Sequence, residues 1–374
     1  MEEDSAALNS TNDSCLNRLP DPSSSVHTLH EPFLNFEENT ELSFEDKSTI
    51  FCSLVALVKA EYPFDNALQD RAVRFLEYLE PMWNKLDFTE IFITDLVPTS
   101  AGSPFGFIES IVTLLSSSHL TVVTAVLSFL QETTVESSTA ILCRLVESGL
   151  VSNVLATVQP HTLPIAGNDT MMNNLVKIIK NFASPASPLS LSNLGITTAV
   201  DKYTHCEMIF EKVMLPSSQF VTFLISKRHV LSGRLFQSFM SLLDRFIDMA
   251  PFHRPTLEFA LASPIVMGFS SCLSIVEDFH NLWDSLYFIY KSLKEWTYHG
   301  PEVAQSGKRM VQALFSEGFE DTLEQMMKHD KDGYSFDSVV YMSHSISQML
   351  GSNVELTEDD DDEEESEDEV ASLE

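Results

Sequence analysis

Three observations predict an all-α fold built as a helical solenoid. Apolar residues recur at three- and four-residue spacing in one short segment after another. Brief polar turns and loops marked by Pro and Gly join those segments. Strand alternation is almost absent, and no Asn-Gly or Asp-Gly pair lies between β-branched runs, since Asp332-Gly333 has helix-like sequence on both sides. Short helices that are apolar on more than one face do not suit a simple bundle. They suit helical hairpins or triplets stacked in a row, each unit burying its faces against two neighbours.

Residues 1–42 are rich in Ser, Asn, Asp and Pro without periodic apolar positions, which predicts a disordered acidic arm. The helical repeat domain is expected over 43–354. Ser43 is placed to cap its first helix, with Glu45 and Asp46 meeting the helix dipole. Ile50, Phe51, Leu54, Val55, Leu57 and Val58 then form a broad apolar stripe. Tyr62-Pro63-Phe64 ends that helix and Asp65 caps a second, in which Leu68, Ala72, Phe75, Leu76 and Leu79 recur while Arg71 and Arg74 take the other face. Pro81 is expected to stop or kink it. A third helix is expected over 88–97, and Pro98 to Pro104 reads as a loop.

The pattern continues with a short helix from Phe107 to Leu115 and another carrying Val122, Val123, Val126, Leu127 and Leu130. Ile141, Leu142, Leu145 and Val146 lead to Gly149, and Leu150, Val154, Leu155 and Val158 follow. Pro160 to Asn168 is a loop, and further periodic segments lie near 169–183, 203–226, 232–250, 255–280, 281–299, 301–329 and 334–350.

Charge divides the chain in three. The whole carries 55 acids against 22 bases, a formal −33. Residues 355–374 hold 13 acids and no base, and residues 1–46 hold 11 acids and one base, Arg18. The stretch between them is mildly acidic, at −10. Such a field repels phosphate backbones and anionic lipid, so neither nucleic acid nor a membrane is an expected partner. The pairs Lys227-Arg228 and Lys308-Arg309 read as solvated helix faces. Two long uncharged runs, Ser110 to Gln131 and Phe259 to Val276, read as buried repeat helices, because Ser116-Ser117-Ser118-His119 and Pro264 interrupt them. The segment 355–374 reads as a disordered acidic tail.

Cys15, Cys52, Cys143, Cys206 and Cys272 are far apart and odd in number, which fits reduced thiols. With the acidic, polar start Met1-Glu2-Glu3-Asp4, unlike a signal peptide, this leads to the expectation of a cytoplasmic or nuclear protein.

No catalytic, cofactor-binding or metal-ligating set is expected. Between Gly300 and Gly307 lie six residues, two too many for a phosphate loop, and Arg309 stands where Ser or Thr should follow Lys308. Asp330-Lys331-Asp332-Gly333 resembles the middle of a calcium loop, but that register puts Lys328 and Val339 where carboxylates belong. His205-Cys206 and His253 have the chemistry of nucleophile and base without an elbow or oxyanion turn, and His253-Arg254-Pro255 reads as a loop leading into a helix. Ser366, followed by Glu367-Asp368-Glu369, is the candidate phosphorylation site, since acidophilic kinases read carboxylates after the acceptor.

Phe105 to Val158 resembles one armadillo repeat: a short first helix at Phe107–Leu115, a second from Val122 to Gln131, and a third region, Arg144 to Val151. Gly149 and the apolar pair after it then mark the start of the last helix, Val151 to Val158. Over about Ser43 to Val354 the chain also resembles an uncharacterised armadillo-like helical-repeat family expanded in anaerobic flagellate protists. The strings that carry this are Ser43 to Ser48, Leu54 to Asp70, Pro251 to Glu258 and Gln312 to Asp321. The resemblance implies an armadillo/HEAT-like right-handed helical solenoid and brings no activity, ligand or catalytic residue. The expected function is a non-enzymatic scaffold or adaptor that binds partner proteins on a solenoid surface. The alternatives are an adaptor or chaperone that takes basic proteins through its acidic tail, and an enzyme of unrecognised type.

Overall fold

The computed structural model describes residues 31–37, 41–83, 106–184, 195–196, 198–227, 230–249 and 253–260, with scattered positions between 286 and 294 and between 341 and 349. Among the described residues the regular structure is helical throughout and no strand occurs. The helices are α1 (Phe44–Lys59), α2 (Asn66–Trp83), α3 (Phe107–Leu115), α4 (Leu120–Glu136), α5 (Thr139–Glu147), α6 (Leu150–Val158), α7 (Asp169–Ala183), α8 (Ala199–Ile209), α9 (Leu215–Ser226), α10 (Gly233–Asp248) and α11 (Arg254–Ala260).

Local chemistry sets the helix starts. Ser43 Oγ accepts the Asp46 amide at 3.1 Å while the Ser43 amide donates to Asp46 Oδ2 at 3.1 Å, a reciprocal capping box. Asp65 Oδ1 accepts the Leu68 amide at 2.8 Å ahead of α2. Thr198 Oγ1 takes the Asp201 amide at 3.1 Å ahead of α8. Between α5 and α6 the chain turns on Gly149 at φ 77°, a left-handed conformation that costs glycine little. A π-helical turn, Phe210–Met214, joins α8 to α9, just before Pro216 withdraws an N–H donor from the ladder.

The helices pack in two rows. The long helices α2, α4, α7 and α10 form one, each lying on the next. The helices α1, α3, α6 and α9 form the other, again in sequence. Helices α5 and α8 touch one another, and α5 also touches α6 and α7. Phenylalanines from both rows fill the interior: Phe51, Phe75, Phe107, Phe129, Phe182, Phe220, Phe239 and Phe246 are all fully buried. Phe51 and Phe129, with ring centroids 6.0 Å apart, tie α1 to α4. Each such ring contributes about 1.5–3 kcal/mol through burial.

Several expectations are corrected. The stretch 105–158 holds four helices, α3 to α6, the second reaching Glu136 rather than Gln131 and the last starting at Leu150 rather than Val151. The extended backbone of Ser137 and Ser138 ends α4 and starts α5. Gly149 accordingly introduces α6, of the short row, and the long-row helix α7 follows it. Pro81 does not stop α2, which is helical through Trp83, the last described residue of that stretch; it only withdraws one N–H donor from the ladder.

Of the expected arm, 1–42, residues 31–37 and 41–42 are described. Residues 31–34 make a helical turn, Phe33 is fully buried, and Phe36 lies edge-on to Phe75 and Tyr78 at 5.1 and 5.7 Å. The Leu34 carbonyl accepts from Arg71 Nη1. One turn with two aromatic anchors is too short to show a helical period.

The run Ser110 to Gln131 is divided at 116–119 into α3 and α4. Instead, the continuous helix Val200–Ser226 is long and apolar enough to cross a membrane by length and composition. Cys206, Ile209, Val213, Met214, Phe220, Val221 and Leu224 bury one side of it in the core, and Glu207, Glu211 and Lys212 are exposed on it. That is the pattern of a helix packed within the body. The expected helix over 88–97, most of the segments beyond 260, and the segment 355–374 lie outside the described residues.

Candidate interaction surface

The row of long helices presents a polar stripe made by helical spacing. On α4 the partly exposed positions Thr124, Ser128 and Gln131 share a face; on α7 they are Lys177, Lys180 and Asn181; on α10, Gln237, Ser241, Asp244 and Arg245. The opposite faces of these helices supply Val126, Phe129, Leu130, Ile178, Ile179, Phe182, Leu242 and Phe246 to the core. Neighbouring stripes are linked. Asn181 Nδ2 donates to Thr134 Oγ1 at 3.0 Å, joining α7 to α4, and Thr134 Oγ1 in turn donates to the Gln131 carbonyl at 2.8 Å.

Where α7 meets α10 the stripe becomes charged. Lys291 Nζ donates to Asp244 Oδ1 at 2.7 Å and to Asp248 Oδ1 at 2.6 Å. Burial disfavours the Lys291 charge, but hydrogen bonds and attraction from the two carboxylates outweigh it and raise its pKa. Arg245 Nη1 lies 3.5 Å from Asp248 Oδ2. Lys180 is held below the ordinary lysine range, first by burial, then by repulsion from Arg245 and Lys177, with Asp244 acting the other way. The sequence reading did not find this group. Lys177 and Lys180 share a face at three-residue spacing, but only the α7–α10 contact brings Arg245 to them.

Of the residues singled out for chemistry, His205, Cys206 and His253 are described, and all three are buried. Cys206 is fully buried, and burial pushes its thiol up to about 11, so it is protonated at neutral pH and a poor nucleophile. Cys143 is raised likewise to about 11, by burial and by Glu147. His205 is buried on α8. His253 is 2% exposed at the start of α11, its Nδ1 2.9 Å from Thr256 Oγ1 and its ring centroid 4.9 and 5.3 Å from those of Tyr203 and Phe210. Burial holds its pKa below 6.5 against the opposing pull of Glu207 and Glu211. Its geometry is that of a packed imidazole bonded within its own helix start.

Among the described residues no group of three or more His, Cys, Asp or Glu side chains is placed to hold a metal ion. Lys227 is exposed at the end of α9. Gly300, Gly307, Lys308, Asp330, Gly333 and Ser366 lie outside the described residues. Compared with known proteins, the chain matches no protein-family model and no curated sequence.

Proposed function

We propose that the chain is an armadillo-type solenoid of the armadillo-like kin described above, and that it serves as a non-enzymatic scaffold holding partner proteins along its row of long helices. The observation that carries this reading is the unbroken succession α2, α4, α7 and α10, with adjoining polar stripes and an apolar side committed to the core. Such a row offers an extended ligand many spaced hydrogen-bonding groups, which favours recognition of shape over chemistry. The short-row helix followed by a long-row helix, three times over from α3 to α10, supports a repeating unit. Buried, protonated Cys206 and packed His253 weigh against an enzyme built on those residues.

The test is a pull-down with mass spectrometry, followed by amide exchange on the complex with the retained partner. Slowed exchange within 120–136, 169–183 and 233–248 is the expected result. Slowing confined to 107–115 and 150–158, or none on the helices at all, would overturn the reading.

A further inference from the structure

We propose that Lys177, Lys180 and Arg245 form a docking patch for the chain's own acidic segment, residues 355–374. The inference goes beyond the scaffold reading and does not depend on it.

Cations are scarce in this chain, 22 against 55 acids, yet here they are gathered. Lys177 and Lys180 stand on successive turns of one face of α7, and α7 packs on α10, which brings Arg245 beside them. The described carboxylates at this junction are Asp244 and Asp248, both engaged by Lys291 at 2.7 and 2.6 Å, with Arg245 also 3.5 Å from Asp248. Among the described residues, four cations therefore face two anions. No ion pair to Lys177 or Lys180 occurs among the described residues. Gathering like charges on a half-buried surface is unfavourable unless an anion from elsewhere completes the set.

The segment 355–374 has the matching chemistry. It carries 13 carboxylates and no cation, eight of them consecutive from Glu358 to Glu365. Its tether also suffices. Met349 packs against the core, and a chain from there to residue 374 spans up to roughly 85 Å when extended. Adjacent helices in a packed row lie about 10 Å apart, so α7 and α10 are within reach. Covalent attachment turns a weak, salt-sensitive attraction into a local one at an effective concentration on the order of millimolar.

The experiment has two arms. Zero-length carbodiimide cross-linking of the full chain, run dilute and as a mixture of isotopically light and heavy protein, reads who touches whom. Cross-links from Lys177 or Lys180 to acids within 355–369, in same-isotope pairs only, are expected. In the second arm a labelled 355–374 peptide is titrated into a chain lacking that segment. Binding at low salt is expected to fall roughly tenfold in K177E/K180E/R245E, with K177Q/K180Q, a milder change that keeps the fold, falling in between. The proposal is overturned if the peptide binds the neutralised, folded variant as well as the parent. It is equally overturned if no cross-link reaches Lys177 or Lys180, or if the cross-links join light chains to heavy ones, which would make a second copy the occupant.

Discussion

Leu145 shows how much one side chain on a short helix carries. It is 1% exposed on α5, between Leu142 and Val146, which are also buried. A carboxylate there loses its hydration without gaining a partner, and either remains costly or takes up a proton. Leu145→Asp is expected to destabilise the chain by several kcal/mol, on the order of 3 or more, with a correspondingly lower Tm. An unchanged Tm would place Leu145 at the surface. His253 gives a second residue-scale outcome. Burial depresses its folded pKa below 6.5, with Glu207 and Glu211 opposing. Below 6.5 the unfolded chain takes up a proton that the folded chain resists, so stability present above that pH is lost as pH falls towards the folded pKa. His253→Gln should flatten this part of the stability–pH curve. A slope identical to that of the parent in denaturant titrations would show that His253 does not set it.

At the scale of elements, the α5–α6 corner and the segment 31–37 make opposite points about what a sequence displays. Gly149 was legible because a glycine closing an apolar run signals a left-handed residue, and the structure holds it at φ 77°. A Cβ there would meet nothing within 4 Å, so the cost of Gly149→Ala lies in backbone conformation alone, about 1 kcal/mol. Gly149→Asn should recover part of it, since Asn tolerates that region. Equal Tm values for Gly, Asn and Ala would contradict the corner geometry. The segment 31–37 was not legible, because Phe33 and Phe36 make no period by themselves. Their burial against Phe75 becomes visible only once α2 is in place. A chain starting at Ser43 should therefore melt below one starting at Glu31. The difference should approach the roughly 3–5 kcal/mol of a lost core phenylalanine. Equal melting would mean that this turn contributes nothing to the fold.

For the whole molecule, helical spacing made the helix class and the starts at Ser43 and Asp65 legible, because each depends on neighbours in the chain. Which helices adjoin was not legible. The cations of α7 and α10 lie 65 residues apart, Lys180 to Arg245, and Lys291 a further 46 beyond. No local pattern announces such a meeting. That meeting bears on how the acidic segment behaves. Removing 355–374 takes away 13 negative charges, leaving −20, and no described core residue. Stability should change by less than about 1 kcal/mol, since solvent-exposed charge contacts contribute little. A basic probe peptide should bind the full chain more tightly than the shortened one, most clearly at low salt. The screening length falls from about 10 Å at 0.1 M to about 3 Å at 1 M. If the patch holds the segment, neutralising it with K177Q/K180Q should release carboxylates to the probe and tighten binding further. Those substitutions also remove repulsion between patch and probe directly. Making them in the chain lacking 355–374 measures that contribution alone, and the difference between the two gains is the coupling between patch and segment. A positive coupling that vanishes at high salt is the expected result. Equal gains with and without the segment would mean that patch and segment act independently, and unfolding of the shortened chain would mean that the segment belongs to the body.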